Sequence, residues 1–323
     1  MKMDDVILDW LLEESNPSVR YFALRYLLDR SKQNREVQAA RRSIMQSELI
    51  QKILAAQSPE GYWAKPGHGY SPKYKSTVWQ ILFLAELGAD GTHRAIKRGC
   101  DYLLDHAIAS NGGFSAMADV SPSGAIYCLN GNLIWALGEL GFAQDQRLRG
   151  ALNWLTSAIL NQDFVPGISG PNFECRINNH LPCAWGAVKS LRALANLPLA
   201  LKSAKVKRAI KQSADFLLSY DLAQANYPAS RRISAEWFKF GFPLSYTSDV
   251  LETLLALTEA GYARDPRLKN AYALVESKRG ADGRWLLGHN LNSRTWKAIE
   301  TQGKPSKWIT LRALRVLKEK TNL

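Results

Sequence analysis

Three cysteines and one histidine form the clearest set of side chains that could carry chemistry. Cys175, His180 and Cys183 have the spacing Cys-x4-His-x2-Cys, and Cys128 lies earlier in the chain. Thiolate and imidazole are preferred ligands of zinc, and three protein ligands with one open position are typical of a catalytic site. The set therefore predicts a zinc site or a nucleophilic thiol, with buried free cysteines as the alternative. Cys100 lies on the apolar side of a predicted helix, where we expect it in the core.

Aromatic residues are frequent in the predicted loops and at the starts of predicted helices. Such rings can enclose an apolar ligand or stabilise a developing carbocation. The candidates for a ligand-binding wall are Trp79, Tyr127, Trp185, Trp237, Tyr246 and Trp308. Basic side chains on the same loops could bind a diphosphate, and these candidates are Arg231, Arg232 and Lys307. Packing within the repeat and solvation of charged loops are the alternative explanations.

The chain is basic, with a formal net charge of +13. Lys202, Lys205, Arg208 and Lys211 fall on one helical face, which indicates a solvated helix surface. No nucleic-acid-binding motif accompanies them, so nucleic acid is not an expected partner. No apolar run approaches the roughly 20 residues of a membrane span, and the N-terminus lacks a signal-peptide pattern. We expect a soluble cytoplasmic protein without a transmembrane segment.

A short apolar sequence segment recurs six times along the chain. Its leucines lie about 60 residues apart, which leaves room for two helices and two connections per unit. They are Leu24, Leu84, Leu137, Leu194, Leu257 and Leu314. In each unit one helix is amphipathic and the other is apolar on most sides, so outer and inner helices should alternate. The sequence predicts an all-α fold, an (α/α)6 toroid of six inner and six outer helices. We expect one domain over 1–323, whose HEAT-like N-terminal pair 1–30 closes the ring against the C-terminal inner helix 306–320.

The connections from outer to inner helices are predicted to be longer than those from inner to outer helices. The long links are predicted at 57–75, 109–127, 161–182, 220–246 and 278–306. Because all helix pairs run the same way, these links must lie on one face of the ring, beside the starts of the inner helices. Long ordered loops are usually functional, and helix N-termini favour anions. We therefore expect the site on this face.

Two of the long links begin with a related sequence. Residues 57–63 read Gln-x3-Gly-x-Trp, and residues 279–285 repeat the pattern with Arg in the first position. Residues 111–114 are a degenerate third copy. These segments resemble the QW repeats of squalene cyclases and other triterpene cyclases, whose α/α toroid is shared with the β subunits of protein prenyltransferases. The resemblance implies a toroid, an isoprenoid or similar apolar ligand and, as in protein prenyltransferases, possible dependence on a partner subunit.

The cyclases that this chain resembles require an acid. Class II terpene cyclases protonate an alkene with the central acid of an Asp-x-Asp-Asp motif, and that motif does not occur in this sequence. Asp249 is the acid nearest to an equivalent place, and the resemblance implies it as the catalytic residue. The alternative interpretation of Asp249 is the N-cap of the fifth inner helix.

Three functions stay open from the sequence. The first is a terpenoid cyclase or prenyltransferase-like toroid that binds an isoprenoid or similar apolar ligand in a central aromatic-lined cavity. The second is a zinc-dependent toroid enzyme with Cys and His ligands, similar in logic to the lanthipeptide cyclases. The third is a non-catalytic protein that binds a lipid or peptide, which the likeness of residues 10–21 to HEAT-type repeats favours.

Overall fold

Helices of two kinds alternate along the chain in the computed structural model, which describes residues 4–229, 235–291, 295 and 299–321. The inner helices are α2 (Pro17–Tyr26), α5 (Thr77–Glu86), α7 (Tyr127–Glu139), α9 (Ala184–Ala195), α11 (Val250–Glu259) and α13 (Lys307–Thr321). The outer helices are α1 (Asp5–Leu11), α3 (Arg35–Gln46) with α4 (Glu48–Ala55), α6 (Arg94–His106), α8 (Gln146–Leu160), α10 (Ala204–Leu218) and α12 (Lys269–Ser277). The predicted all-α fold class is confirmed.

The burial of each helix explains its place in the ring. Every residue of α5 is buried, because its sequence is apolar on all sides and neighbours cover it all round. The outer helix α6 instead buries one stripe, which includes Ile96, Cys100 and Leu103, and exposes its charged side. Cys100 therefore lies in the core, as the sequence predicts.

The inner helices follow one another around a centre. Helix α5 packs on α7, α7 on α9, α9 on α11, α11 on α13, and α13 on α2. One cavity is lined by residues of all six inner helices, which requires a closed ring. Two ion pairs also join the ends of the chain: Lys307 Nζ lies 2.6 Å from Glu13 Oε2, and Lys318 Nζ lies 2.5 Å from Asp29 Oδ2.

The sequence predicts one continuous second outer helix over residues 36–55, whereas the structure divides it into α3 and α4. It is broken at Ser47, whose backbone has the extended angles φ −65° and ψ 142°. The Ser47 hydroxyl donates to the Ile44 carbonyl at 2.7 Å, so the residue that ends α3 also begins α4. The long link 161–182 also contains two short antiparallel strands, β1 (Glu174–Cys175) and β2 (Leu181–Pro182).

The two Trp-containing link sequences make equivalent contacts. Trp63 and Trp285 are fully buried, and each indole Nε1 donates at 2.7 Å to a carbonyl of the preceding outer helix, that of Ile53 or Val275. Each backbone N–H also donates to the hydroxyl of a threonine on the following inner helix. The aromatic residue thus anchors its long link to both helices of its unit.

Close packing of α7 on α9 depends on a glycine. A Cβ atom added at Gly131 would lie 2.5 Å from the Lys189 carbonyl carbon, closer than side chains approach backbone. Gly131 therefore brings the backbone of α7 against the part of α9 that carries the buried charges described below.

None of the helices in the described part of the chain is long and apolar enough to cross a membrane.

Candidate functional site

A central cavity opens toward the C-terminal halves of the inner helices. Its volume is about 520 Å³ with the open mouth included. The lining residues are Phe22, Tyr26, Glu86, Trp135, Glu139, Arg192, Asn196, Leu255, Glu259, Trp308, Leu311, Arg312 and Arg315. The sequence led us to expect the site at the starts of the inner helices, so this cavity lies at the other end of the ring from that expectation.

A buried ion network closes the inner end of the cavity. Glu86 bridges two arginines, with Arg192 Nη1 at 2.7 Å from Oε1 and Arg312 Nη2 at 2.5 Å from Oε2. Burial alone would raise the pKa of Glu86, but the charges of the two arginines lower it below its usual value. Glu86 therefore stays ionised and holds both guanidinium groups at the cavity floor.

A second pair lies deeper in the same network. Lys189 Nζ is 2.6 Å from both carboxylate oxygens of Glu252, and neither side chain is exposed to solvent. Burial lowers the pKa of Lys189 by more than the nearby Glu252 carboxylate raises it. Arg192 Nη1 lies 3.5 Å from Glu252 Oε1 and so connects the pair to the cavity floor.

The cavity walls combine aromatic rings with arginines. The Arg192 guanidinium lies 3.6 Å from the centroid of the Trp135 ring, and that of Arg315 lies 3.7 Å from the centroid of Tyr26. These stacked pairs present flat, partly charged surfaces to the cavity. Burial raises the pKa of Tyr26 to about 12, against the opposing effect of Arg315, so its hydroxyl stays neutral.

Two N–H groups of this wall have no acceptor among the described residues. They are Nε of Arg192 and Nε1 of Trp308, and both side chains are more than nine-tenths buried. A buried donor without a partner is costly, commonly by about 1–3 kcal/mol. Both residues line the cavity, but neither of these two nitrogens has surface open to it.

Two glutamates stand at the mouth of the cavity. Glu259 accepts from Arg315 at 2.9 Å and from Asn196 Nδ2 at 2.7 Å. The Glu139 side chain reaches solvent at the mouth, but its partial enclosure raises its pKa, and the nearby charge of Glu259 raises it further. Glu139 therefore binds a proton more readily than Glu86, whose pKa is lowered.

Asp249 lies at the opposite end of the ring and forms the N-cap of α11. Its carboxylate accepts from the backbone N–H of Glu252 at 2.7 Å and from that of Gly241 at 2.8 Å. Asp249 is buried and is not part of the central cavity lining. Burial raises the pKa of Asp249 to about 6, although both N–H donors favour the ionised form.

This raised pKa makes a pH-dependent effect of Asp249→Asn testable. Native Asp249 binds its proton near pH 6 and the unfolded chain only near pH 4, so its protonation stabilises the native state as the pH falls between these values. From pH 7 to pH 4, we expect the stability of the native chain to rise relative to Asp249→Asn by up to about 3 kcal/mol. Urea denaturation of both proteins at pH 7, 5.5 and 4 measures this difference, with the exposed Asp215→Asn as control. A difference that does not change with pH would contradict the raised pKa.

The predicted aromatic wall is divided among separate contacts. Trp79, Tyr127 and Trp237 are buried, and their polar atoms donate to the carbonyls of Tyr70, Gly170 and Leu222 respectively. Trp185 and Tyr246 meet edge to face at 6.5 Å. Of the six predicted aromatic residues, Trp308 is the one that lines the central cavity.

Among the predicted basic residues, the structure describes Lys307, which does not line the central cavity. Lys307 pairs with Glu13 at 2.6 Å, which ties the last inner helix to the first unit. Arg231 and Arg232 lie outside the described residues.

The predicted zinc ligands gather only in part. Cys175 and Cys183 each affect the pKa of the other, Cys128 affects the pKa of Cys183, and Cys175 affects the pKa of Cys128. His180 turns to the Glu174 carboxylate, with Nδ1 at 2.6 Å from Oε1. In the described part of the chain, no group of three or more His, Cys, Asp or Glu side chains is arranged to hold a metal ion.

The residues of the buried ion network were not among the candidates taken from the sequence. They are Glu86, Arg192 and Arg312 at the cavity floor and the deeper pair Lys189 and Glu252. A signal for them exists, because each is a charged residue inside a helix that is otherwise predicted to be buried. Buried charges require partners, so charges on several inner helices indicate a network across the ring.

No protein-family model and no curated protein matches this chain. Among solved structures, the type II terpene cyclase MstE from Scytonema is 15% identical with a TM-score of 0.45, covering 94% of this chain and 87% of that chain. A variant of MstE in complex with geranylgeranyl dihydroxybenzoate is 14% identical with a TM-score of 0.45, covering 98% and 99%. A protein from Actinoplanes is 14% identical with a TM-score of 0.44, covering 95% and 90%. At these scores the likeness is too weak to assign an activity.

Proposed function

We propose that this protein is a terpenoid cyclase-like toroid that binds an isoprenoid or similar apolar small molecule in its central cavity. The observation that carries the proposal is the lining of that cavity, where aromatic and aliphatic walls lie beside the side chains of Arg192, Arg312 and Arg315. Such a surface fits a molecule with a long apolar part and one oxygen-bearing end.

The apolar part of the ligand would contact the side walls. Phe22, Trp308, Leu255 and Leu311 line the cavity from three different inner helices, and Phe22 and Trp308 lie 5.9 Å apart between ring centroids. Ligand sites are mostly apolar with a few placed polar groups, and this cavity combines both kinds of side chain.

The polar end of the ligand would lie at the arginine floor. Arg192, Arg312 and Arg315 supply positive charge, and the carboxyl groups of Glu86, Glu139 and Glu259 line the same cavity. The raised pKa of Glu139 reduces its share of the negative charge. Guanidinium groups pair well with carboxylate and phosphate oxygens. An isoprenoid acid or diphosphate therefore fits better than a hydrocarbon or an amine.

Binding is tested with farnesol, farnesoic acid and farnesyl diphosphate, which share one apolar chain and differ in the polar end. We expect binding of the two anionic probes to be tighter than binding of farnesol, measured by quenching of tryptophan fluorescence. Trp135→Leu, on the cavity wall, should weaken binding about tenfold, which is ~1.4 kcal/mol. Trp185→Leu is the matched control, because Trp185 does not line this cavity. Loss of binding in Trp185→Leu alone would move the site to the loop face.

Turnover is a separate question from binding. The catalytic role of Asp249 stays a prediction, and product analysis of Asp249→Asn with each isoprenoid tests it. Unchanged turnover would show that Asp249 is not the catalytic acid.

A ligand that copurifies with the chain and is never converted would instead support a non-catalytic binding protein. We do not propose the zinc-dependent reaction, because the described residues offer no metal-binding group.

A further inference from the structure

The hairpin β1–β2 brings two cysteines together at the start of an inner helix. Cys175 pairs with Leu181 in the register of the hairpin, and the Cys183 N–H donates to the Phe173 carbonyl at 2.8 Å, which continues the same ladder. Cys175 and Cys183 are therefore diagonal neighbours across the hairpin. Both residues are partly exposed, and each thiol affects the pKa of the other.

The surroundings of Cys175 stabilise a thiolate. Hydrogen bonding by the Cys183 thiol is the largest influence that lowers the pKa of Cys175, and the backbone N–H groups of Asn178 and Ile177 in the turn that follows act in the same direction. These donors, together with the nearby His180, lower the pKa of the Cys175 thiol despite its partial burial. The same contact raises the pKa of Cys183, because Cys183 keeps the shared proton. One sulfur is thus prepared as a nucleophile, and a second thiol lies beside it.

We propose that Cys175 and Cys183 form a dithiol site that reacts with small-molecule disulfides and closes into an intramolecular disulfide. The Cys175 thiolate attacks one sulfur of the small disulfide, forms a mixed disulfide and releases one small thiolate. Cys183 then loses its proton to solvent and attacks the Cys175 sulfur, which expels the second small thiolate. The small disulfide is reduced to two thiols, and the two cysteines are oxidised to one disulfide.

The other two cysteines are unsuited to the attacking step. Burial raises the pKa of the Cys128 thiol to about 11, and the neighbouring Cys175 raises it further. Cys100 is fully buried within α6 and its pKa is also raised by burial. A reaction confined to Cys175 would therefore reflect the reactivity of this site and not merely the accessibility of thiols in general.

The test treats the intact folded chain with oxidised glutathione at pH 7, followed by alkylation and peptide mapping without reduction. We expect a Cys175–Cys183 disulfide and the loss of two hydrogens from the chain mass. Cys183→Ser should stop at a glutathione adduct on Cys175, since the second thiol is absent. Cys128→Ser should react as the native chain does, and Cys175→Ser should react at least about tenfold more slowly. Circular dichroism checks that each variant is folded.

Three results would overturn the proposal. One is a native chain whose Cys175 remains unmodified while it is folded. Another is a disulfide that joins Cys175 to Cys128 instead of Cys183. The third is a folded Cys183→Ser that carries no adduct on Cys175. If Cys183→Ser does not fold, the alkylation rates of Cys175 and Cys128 in the native chain are compared instead. Comparable rates would contradict the proposal that Cys175 is the more reactive nucleophile.

Discussion

Replacement of Lys189 by Met is expected to lower the free energy of unfolding by about 3–5 kcal/mol. The substitution removes the partner that lies 2.6 Å from both oxygens of Glu252 and leaves a carboxylate that has no exposed surface. Arg192, at 3.5 Å from one oxygen, compensates only in part, because it already pairs with Glu86 at 2.7 Å. Guanidinium denaturation at pH 7, followed by far-ultraviolet circular dichroism, measures the change.

Two control variants separate the burial of a charge from the loss of an attraction. The double variant Lys189→Met/Glu252→Met leaves no unpaired charge at this position, so it should recover most of the lost stability. The exposed pair Lys211 and Asp215, at 2.6 Å on α10, provides the surface comparison. Lys211→Met should change stability by less than about 1 kcal/mol. A double variant as unstable as Lys189→Met alone would show that the network stabilises the ring through the attraction itself.

The buried network also determines the shape of the cavity. Glu86, Arg192 and Arg312 come from three inner helices and meet at the centre of the ring, where they fill space that a wider ligand would need. The charges cannot be moved apart without loss of their partners. We therefore expect this end of the cavity to hold a fixed floor, and ligand length to be accommodated toward the mouth at Glu139 and Glu259.

The architecture could be predicted because it depends on properties that each segment carries by itself. The sequence of α5 is apolar on every side, whereas α6 has one apolar stripe, and this difference alone assigns inner and outer places. The break at Ser47 was missed, because serine is compatible with a helix and its cap depends on backbone angles that the sequence pattern does not specify.

The site was harder to predict because the residues that line a cavity depend on which side chains pack elsewhere and on how distant helices meet. The loop aromatics Trp79, Tyr127 and Trp237 are used to anchor their own links through hydrogen bonds to nearby carbonyls. Asp249 shows the same ambiguity, since an acid at a helix start serves equally as a cap or as a proton donor. Conversely, the cavity floor consists of charged side chains on otherwise apolar helices. Whether these side chains contact one another depends on how helices far apart in sequence align.

Trp63→Ala is expected to lower the free energy of unfolding by about 3–5 kcal/mol. The variant removes a fully buried indole and leaves the Ile53 carbonyl without the donor that now lies 2.7 Å away. Trp285→Ala should cost a similar amount, because Trp285 is equally buried and donates at the same distance to Val275. Chemical denaturation of both variants measures the two losses.

The equivalence of Trp63 and Trp285 makes this pair informative about the repeat as well as about stability. If the Trp of each link anchors its own unit, Trp63→Phe and Trp285→Phe should each cost less than the alanine variants, since only the indole N–H and part of the packing are lost. Ligand binding per folded molecule should be unchanged in all four, because neither residue lines the central cavity. A loss of binding without a loss of stability at either position would mean that the link itself contacts the ligand, and the site would then extend to the loop face.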